Sequence, residues 1–324
     1  DIATLSPDGT LAMTIRSDEY ELLLVDDRGN LQRSVLSDPV DEIFPRFSPD
    51  GRVLALGGGP IRDRRELWTF DLETGLLSQL GMGLDPHLVE WTADGRRVLA
   101  GAGSTAFRTD RERIWWRAAN ASDEPSVLME LPGRWIMGAA ASPDGRYLAI
   151  TENVGPDPSV DRCDIVVFGM EGDTIGTPFA AGDTDELAPR FSPDGRWLAY
   201  ASDESGRFQV YVRPFPGPGG RIQVSADGGG QPVWSPDGRR LFFRTDQAMM
   251  AADLEFDAEG GLVVTARERL FEGDFFGGPG STKATYDVHP DGRRFVLARA
   301  VGGRSGQIVV WTDWIGELQE QLGN

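Results

Sequence analysis

Seven aspartates recur inside one short motif, and carboxylates at regular intervals could act as acids, bases or metal ligands. The motif is Ser-Pro-Asp-Gly or a close variant, and its aspartates follow one another at intervals of 42, 44, 50, 50, 43 and 54 residues. The same residue types make tight turns, because Pro presets φ, Asp bonds nearby backbone groups and Gly accepts a positive φ. One carboxylate at the same turn of every repeat predicts a structural role for Asp8, Asp50, Asp94, Asp144, Asp194, Asp237 and Asp291.

Charged residues also occupy the position two residues before the first residue of a motif. Arg46 and Arg190 hold this position in two repeats, and Glu90 holds it in another. His87 lies three residues before Glu90. If the segments before the motifs surround a common channel, these four side chains could bind a ligand or a partner there. The alternative, which the sequence favours, is that the charges pair with each other between repeats.

Two acidic loop segments could supply the oxygen ligands that calcium prefers. Both lead into a strand that precedes a motif, so we expect them at the same end of the structure. No Asp-x-Asp-x-Asp-Gly loop supports a calcium site, and solvated loop carboxylates are the favoured interpretation. The candidate residues are Asp38, Asp41 and Glu42 in one loop and Asp183, Asp185 and Glu186 in the other.

Residues for other kinds of chemistry are few. The chain has one cysteine, Cys163, and two histidines, His87 and His289, which fall in different repeats. This composition argues against a zinc site and against a Ser-His-Asp triad. Neither a Gly-x-Ser-x-Gly elbow nor a phosphate-binding glycine loop occurs. The sequence therefore predicts that this chain carries out no catalysis of its own and binds no organic cofactor.

The charge of the chain restricts its partners. Its 324 residues include 32 Lys and Arg against 51 Asp and Glu, which gives a net charge of −19. Such a surface repels phosphate backbones, so we expect no nucleic-acid binding. Solubility alone accounts for the acidity, and a cationic partner is the alternative. No apolar run reaches the roughly 20 residues of a membrane helix, so we expect no membrane insertion by this segment.

The motifs punctuate a repeating pattern of short apolar strands. Each unit reads as a strand, the motif turn, a second strand, a loop, a third strand, a turn and a fourth strand. Repeats of this period with four strands each are typical of propeller blades. We therefore predict an all-β fold, a seven-bladed β-propeller of four-stranded antiparallel blades in one domain. The predicted blades span 1–38, 39–82, 83–132, 133–181, 182–226, 227–273 and 274–312.

The end of the chain changes pattern. Trp314, Ile315, Leu318 and Leu322 recur at helical spacing after Asp313, a suitable N-cap. These residues predict a short helix over 313–322, which leaves the last blade without a fourth strand. A closing strand would then lie before Asp1. Because the chain begins with Asp rather than Met, we also expect a longer protein, with a targeting or membrane segment upstream.

The repeats resemble a known family. Segments such as FSPDGRWLAYAS, Phe191–Ser202, are similar to the repeats of TolB-like propellers. The stretch Ser202–Arg244 also resembles the C-terminal propeller of bacterial eukaryotic-like serine/threonine kinases. So do MMAADLEF (Met249–Phe256), YDVHPDGRRFVL (Tyr286–Leu297) and IVVWTDWIGEL (Ile308–Leu318).

The kinase resemblance implies an extracytoplasmic sensor or interaction domain that follows a kinase domain and a membrane helix. The chain itself has no kinase motif, so it would bind an unknown protein or small ligand, as a monomer. A free periplasmic TolB-like protein that contacts an envelope lipoprotein is the first alternative. The propeller of a prolyl-oligopeptidase-like hydrolase that lacks its catalytic domain is the second.

Overall fold

Strands account for all the regular structure that the computed structural model describes. It covers residues 3–5, 11–15, 20–36, 43–58, 66–81, 86–102, 112–154, 162–172, 175–258, 260–301 and 307–311. No helix occurs in these ranges, and hence none that could cross a membrane. The prediction of an all-β protein is confirmed. The predicted helix at 313–322 lies outside the described residues.

The described ranges contain twenty-seven strands. The first twelve in chain order are β1 (Ala3–Leu5), β2 (Leu11–Ile15), β3 (Tyr20–Asp26), β4 (Leu31–Ser34), β5 (Ile43–Phe47), β6 (Val53–Gly58), β7 (Glu66–Asp71), β8 (Leu77–Gln79), β9 (Pro86–Trp91), β10 (Arg97–Ala102), β11 (Glu112–Ala118) and β12 (Ser126–Leu131). The others are β13 (Trp135–Ala141), β14 (Tyr147–Asn153), β15 (Cys163–Gly169), β16 (Thr177–Ala180), β17 (Glu186–Phe191), β18 (Trp197–Ser202), β19 (Gln209–Pro214), β20 (Ile222–Gln223), β21 (Gly230–Trp234), β22 (Arg240–Arg244), β23 (Ala248–Phe256), β24 (Leu262–Glu272), β25 (Tyr286–Val288), β26 (Arg294–Ala300) and β27 (Gln307–Trp311).

Six four-stranded antiparallel sheets form a ring. Blades 1 to 5 are β5–β8, β9–β12, β13–β16, β17–β20 and β21–β24, and blade 6 has the order β25-β26-β3-β4. The first strand of each blade lies innermost, and these inner strands are neighbours in the order β5, β9, β13, β17, β21, β25. Strand β25 in turn contacts β5, so the ring is closed.

The prediction of seven blades is wrong, because the chain uses its first repeat in two places. Strands β3 and β4 pair with β26 and become the outer half of blade 6. Strands β1 and β2 instead pair with β27 in a separate three-stranded sheet. Blade 6 is therefore complete. The expected missing fourth strand is also wrong, because the first repeat supplies the outer strands that the last repeat lacks.

Apolar packing between blades holds the ring together. Each of the six blade interfaces has its own buried apolar cluster. At the closure, Leu22 and Leu24 of β3 pack in one cluster with Ile43 of blade 1. Because blades stack face to face, β18, with the sequence WLAYAS, is buried at every position. The closure is thus packed as the other interfaces are.

The motif turns have the predicted structural role. In blade 1 the Oδ1 atom of Asp50 accepts hydrogen bonds from Ser48 Oγ at 2.7 Å and from Arg52 N at 3.1 Å. Ser48 Oγ also accepts from Val53 N at 3.0 Å, and Gly51 has a φ of 73°. The hydrogen bond from Ser48 and those from the backbone lower the pKa of Asp50. The carboxylate therefore serves the turn.

Neighbouring turns touch each other through a proline and a glycine. A Cβ atom on Gly95 would lie 3.3 Å from Cδ of Pro49 in the preceding blade. Equivalent proline contacts occur at Gly195, Gly238 and Gly292. At Gly51 the contact comes from His289, whose Nε2 atom lies 3.1 Å from Gly51 O. Gly145 is the exception, since the preceding turn carries Ala93 and nothing lies within 4 Å of a Cβ built there.

We predict that Ala93→Pro stabilises the protein by about 0.4 to 1 kcal/mol, because proline restricts the unfolded chain and adds the missing contact to blade 3. Chemical denaturation measures the free energy of unfolding. Ala93→Ser is the control and should leave it within about 0.5 kcal/mol of the parent. A loss of stability in the proline variant would show that this turn differs from the other five.

Candidate binding site

The position two residues before each motif brings four charged side chains together in the central channel. Around the ring from blade 6 to blade 5, this position holds Asp287, Arg46, Glu90, Ala140, Arg190 and Val233. The three charged residues that the sequence singled out are therefore joined by a fourth. The four lie on the inner strands of blades 6, 1, 2 and 4.

Arg46 connects blade 1 to blade 6. It is 3% exposed, and its Nη2 atom donates to Ala284 O at 2.9 Å while Nη1 donates to Pro45 O at 2.7 Å. Its Nε atom is buried 4.0 Å from Glu90 Oε2 and has no hydrogen-bond partner among the described residues. Burial, followed by repulsion from Arg190, lowers the pKa of Arg46 to about 10.

Glu90 and Arg190 pair across the channel. Arg190 Nη1 lies 2.5 Å from Glu90 Oε2, and the two side chains are 14% and 12% exposed. Burial lowers the pKa of Arg190, but Glu90 and Asp287 outweigh it, so the pKa is raised overall. Arg190 Nη2 is buried and has no hydrogen-bond partner among the described residues. The expected pairing of these charges occurs, between blades 2 and 4, but two buried donors, Arg46 Nε and Arg190 Nη2, have no hydrogen-bond partner among the described residues.

Asp287 belongs to the same cluster and was missed in the sequence analysis. Its Oδ2 atom accepts a hydrogen bond from Phe47 N at 2.8 Å. Burial raises the pKa of its carboxyl group, although Arg46 and Arg190 oppose the shift. The sequence held the signal, because Asp287 lies two residues before His289, which stands at the first position of the last motif. The substitution of His for Ser hid that equivalence.

One end of the channel is crossed by residues 277–285, which we call the crossing segment. It leads into β25, so it lies at the end where the inner strands begin. Thr282 O accepts from Ala188 N at 3.1 Å, and Lys283 Nζ lies 3.9 Å from the ring centroid of Phe44. A Cβ on Gly138 would lie 2.5 Å from Thr282 O. The segment thus contacts blades 1, 3 and 4. Because Gly138 has no side chain, Thr282 can lie close to the backbone of blade 3.

The acidic loop at 183–186 uses its carboxylates in local contacts. Asp185 Oδ1 accepts from Cys163 N at 2.8 Å, and exposed Asp183 lies 3.9 Å from Arg162. Glu186 is 5% exposed and accepts from Thr184 Oγ1 at 2.8 Å, and burial raises its pKa. No group of three potential metal ligands occurs in the part of the chain that the structure describes.

Four other predicted site residues receive no side-chain description. Asp41 and Glu42 lie outside the described residues, as does Asp38. His87 lies on β9, but its side chain is outside the description. Calcium binding therefore stays a prediction.

Comparison with known proteins identifies a relative over most of the chain and another over about a third of it. No protein-family model matches it. The uncharacterized protein Atu1656 from Agrobacterium fabrum is 31% identical over 285 residues, which cover 80% of this chain and 85% of that protein. The chain belongs to the family of Atu1656. The uncharacterized peptidase YuxL from Bacillus subtilis is 38% identical over 106 residues, 31% of this chain and 16% of that protein.

Solved structures confirm a TolB-like propeller. A protein assigned as TolB from Agrobacterium tumefaciens superposes with a TM-score of 0.63 at 20% identity, covering 87% of this chain and 98% of that one. The predicted link to kinase propellers stays a prediction.

The prediction that the chain is not an enzyme requires correction. Pseudomonas aeruginosa periplasmic gluconolactonase has the same fold, with a TM-score of 0.53 at 18% identity over 90% of this chain and 94% of that one. An oligogalacturonate lyase from Vibrio parahaemolyticus superposes with a TM-score of 0.54 at 11% identity, covering 94% of this chain and 97% of that one. Enzymes therefore share this architecture, and missing nucleophile motifs do not exclude catalysis.

We predict that Glu90→Gln destabilises the protein by about 3 kcal/mol, because it removes the carboxylate that lies within 4.0 Å of both Arg46 and Arg190. The free energy of unfolding measures the effect. Glu130→Gln is the matched control, since the Arg113–Glu130 pair is 34% and 49% exposed, and it should cost less than about 1 kcal/mol. Equal losses would contradict a buried pair in the channel.

We also predict a pH-dependent difference between the parent protein and Asp287→Asn. The folded-state pKa of Asp287 is raised above its usual 3.8. Its contribution to the free energy of unfolding is therefore fully present below pH 3.8 and is lost as the pH rises through the folded-state pKa. Asparagine does not titrate and keeps an acceptor for Phe47 N. The variant should therefore gain stability relative to the parent from pH 4 upward. A constant or falling difference in unfolding free energy would contradict the raised pKa.

Proposed function

We propose that this protein is a TolB-like binding propeller of the bacterial envelope that takes an anionic group of its ligand or partner into the central channel. The observation that carries the proposal is the pair of unused donors, Arg46 Nε and Arg190 Nη2. Guanidinium groups bind carboxylates through paired, charge-assisted hydrogen bonds. A carboxylate between the two arginines would occupy both donors.

The charges of the channel favour an anion. Two arginines face two carboxylates, but burial raises the pKa of Asp287 and so favours its neutral form. Where the Asp287 carboxyl group is protonated, the two guanidinium groups face the Glu90 carboxylate alone. An entering carboxylate would restore the balance. In a partly dry channel such an interaction is stronger than at the surface.

The crossing segment gives the direction of entry. It spans the end of the channel where the inner strands begin, so a ligand would enter from the end with the motif turns. The charged position lies two residues before each motif and thus close to that entrance. The ligand would meet Arg46 and Arg190 soon after it enters.

An extracytoplasmic location is part of the proposal. It is supported by the fold shared with a periplasmic gluconolactonase and with TolB-assigned proteins. A free envelope protein, with a protein partner, accounts for a chain that matches Atu1656 over most of both lengths. The kinase-sensor alternative rests on the sequence resemblance alone. The peptidase-propeller alternative has the short match to YuxL in its favour.

We predict that small carboxylates stabilise the protein through Arg190. Titration with succinate or glutarate at constant ionic strength should raise the midpoint of thermal unfolding, because a ligand that binds the folded state stabilises it by mass action. Arg190→Gln should remove the rise, and Arg190→Lys should keep part of it. Exposed Arg207, in the loop after β18, supplies the control Arg207→Gln, which should behave as the parent. Equal rises in Arg190→Gln and the parent would refute the channel site.

A further inference from the structure

Every blade of the ring places an arginine directly after the glycine of its motif. The six side chains are exposed, and we call them the arginine collar: Arg52, Arg96, Arg146, Arg196, Arg239 and Arg293. In each blade the backbone N–H of this arginine donates to the turn aspartate, which fixes the residue at the same place in all six turns. A chain with a net charge of −19 thus concentrates cations at one end of its channel.

The collar is continuous around the channel entrance. Neighbouring turns are in contact at five of the six blade boundaries, through proline or through His289. A cleft of about 540 Å³ between blades 5 and 6 is lined by Arg239 and Arg293 together with Asp237 and Asp291. An anionic group in this cleft would reach two collar arginines at once.

The turn aspartates do not tie up the collar side chains. Each aspartate directs Oδ1 into its own turn, as Asp237 does by accepting from Ser235 Oγ at 2.6 Å and from Arg239 N at 3.0 Å. In the part of the chain that is described, only Arg96 among the collar arginines lies within 4.0 Å of a carboxylate, that of Asp94 at 4.0 Å. The other collar arginines therefore form no ion pair within 4.0 Å in the described residues, although Asp50, Asp94, Asp144 and Asp237 attract the arginine of their own turn.

The outer edge of the same end is acidic. In an antiparallel blade, the turns after the first and third strands lie at the same end. A groove of about 580 Å³ lined by Asp27 and Arg293 shows this proximity in blade 6. Exposed carboxylates occupy the turns after the third strand in five blades: Asp27, Glu73, Glu124, Glu171 and Asp257. In blade 4 this turn, residues 215–221, has no carboxylate.

This arrangement selects the shape of the partner. A wide anionic surface such as a membrane would meet the acidic outer turns together with the collar and would be repelled there. A narrow acidic segment could contact the collar alone and could cross the edge over blade 4. Charges separated by more than about 8 Å are largely screened at physiological salt, so the net charge of −19 does not cancel the local attraction.

We propose that the arginine collar docks a narrow acidic polypeptide segment, whose carboxylates bind between neighbouring collar arginines. Its tip would reach Arg46 and Arg190, and only this last contact rests on the function proposed above. The collar supplies attraction and orientation at the entrance, and the channel supplies the buried contact. Binding of this kind weakens steeply as salt rises.

A fluorescent hexaglutamate peptide tests the proposal by anisotropy at 50 and 200 mM salt. The double variant Arg239→Gln/Arg293→Gln should bind at least tenfold more weakly than the parent. The control Arg207→Gln/Arg299→Gln removes the same charge away from the motif end and should change the affinity less than twofold. Hexaglutamine should not bind.

The other outcomes separate the two proposals. If Arg190→Gln weakens binding while the collar variant binds as the parent does, the collar proposal is overturned and the channel site stands. If only the collar variant weakens binding, the collar stands and the channel site falls. If the protein binds phosphatidylglycerol vesicles through the collar and ignores the peptide, a membrane is the partner and the collar proposal is overturned.

Discussion

Closure of the ring is the constraint on which the rest of the structure depends. A propeller leaves no open interface only if its last blade packs against its first. Here strands from the beginning of the chain complete a blade that begins near its end, through the pairing of β3 with β26. This pairing sets the number of blades at six, places β25 beside β5, and so brings Asp287 next to Arg46. A seventh blade in the ring would have separated these charges.

Closure of the ring brings the channel charges together, and their hydrogen bonds in turn stabilise the closure. Arg46 donates to backbone oxygens of Tyr286 and Ala284, so one guanidinium joins the first and last blades. Trp91 and Trp234 add hydrogen bonds from their indole N–H groups to the backbone oxygens of Arg46 and Arg190 in the preceding blades. The arginines proposed to bind a ligand are therefore held by the joints between blades. These contacts explain how the charged side chains stay fixed in a buried channel although some of their donors have no hydrogen-bond partner among the described residues.

Much of this could be predicted from the sequence, because turns and strands are local features. The motif predicted the turns, six of which lie in the described residues, and the position at which Arg46, Glu90 and Arg190 meet. Trp91 and Trp234, which directly precede two of these motifs, bond to the backbone of the preceding blade. Strand partners are not local, and nothing near Tyr20 indicates that it pairs with Ala300. The crossing segment likewise depends on contacts between distant parts of the chain, such as that of Thr282 with Ala188.

The central claim is that Arg46 and Arg190 together hold an anion in the channel. The most direct measurement is a crystal structure of the protein with 3-bromopropionate, in which the anomalous signal of bromine locates the ligand. The account predicts a bromine peak inside the ring, with the carboxylate within hydrogen-bond distance of Arg46 Nε and Arg190 Nη2. An ordered channel with no bromine peak, or with peaks only at the exposed arginines, would contradict it.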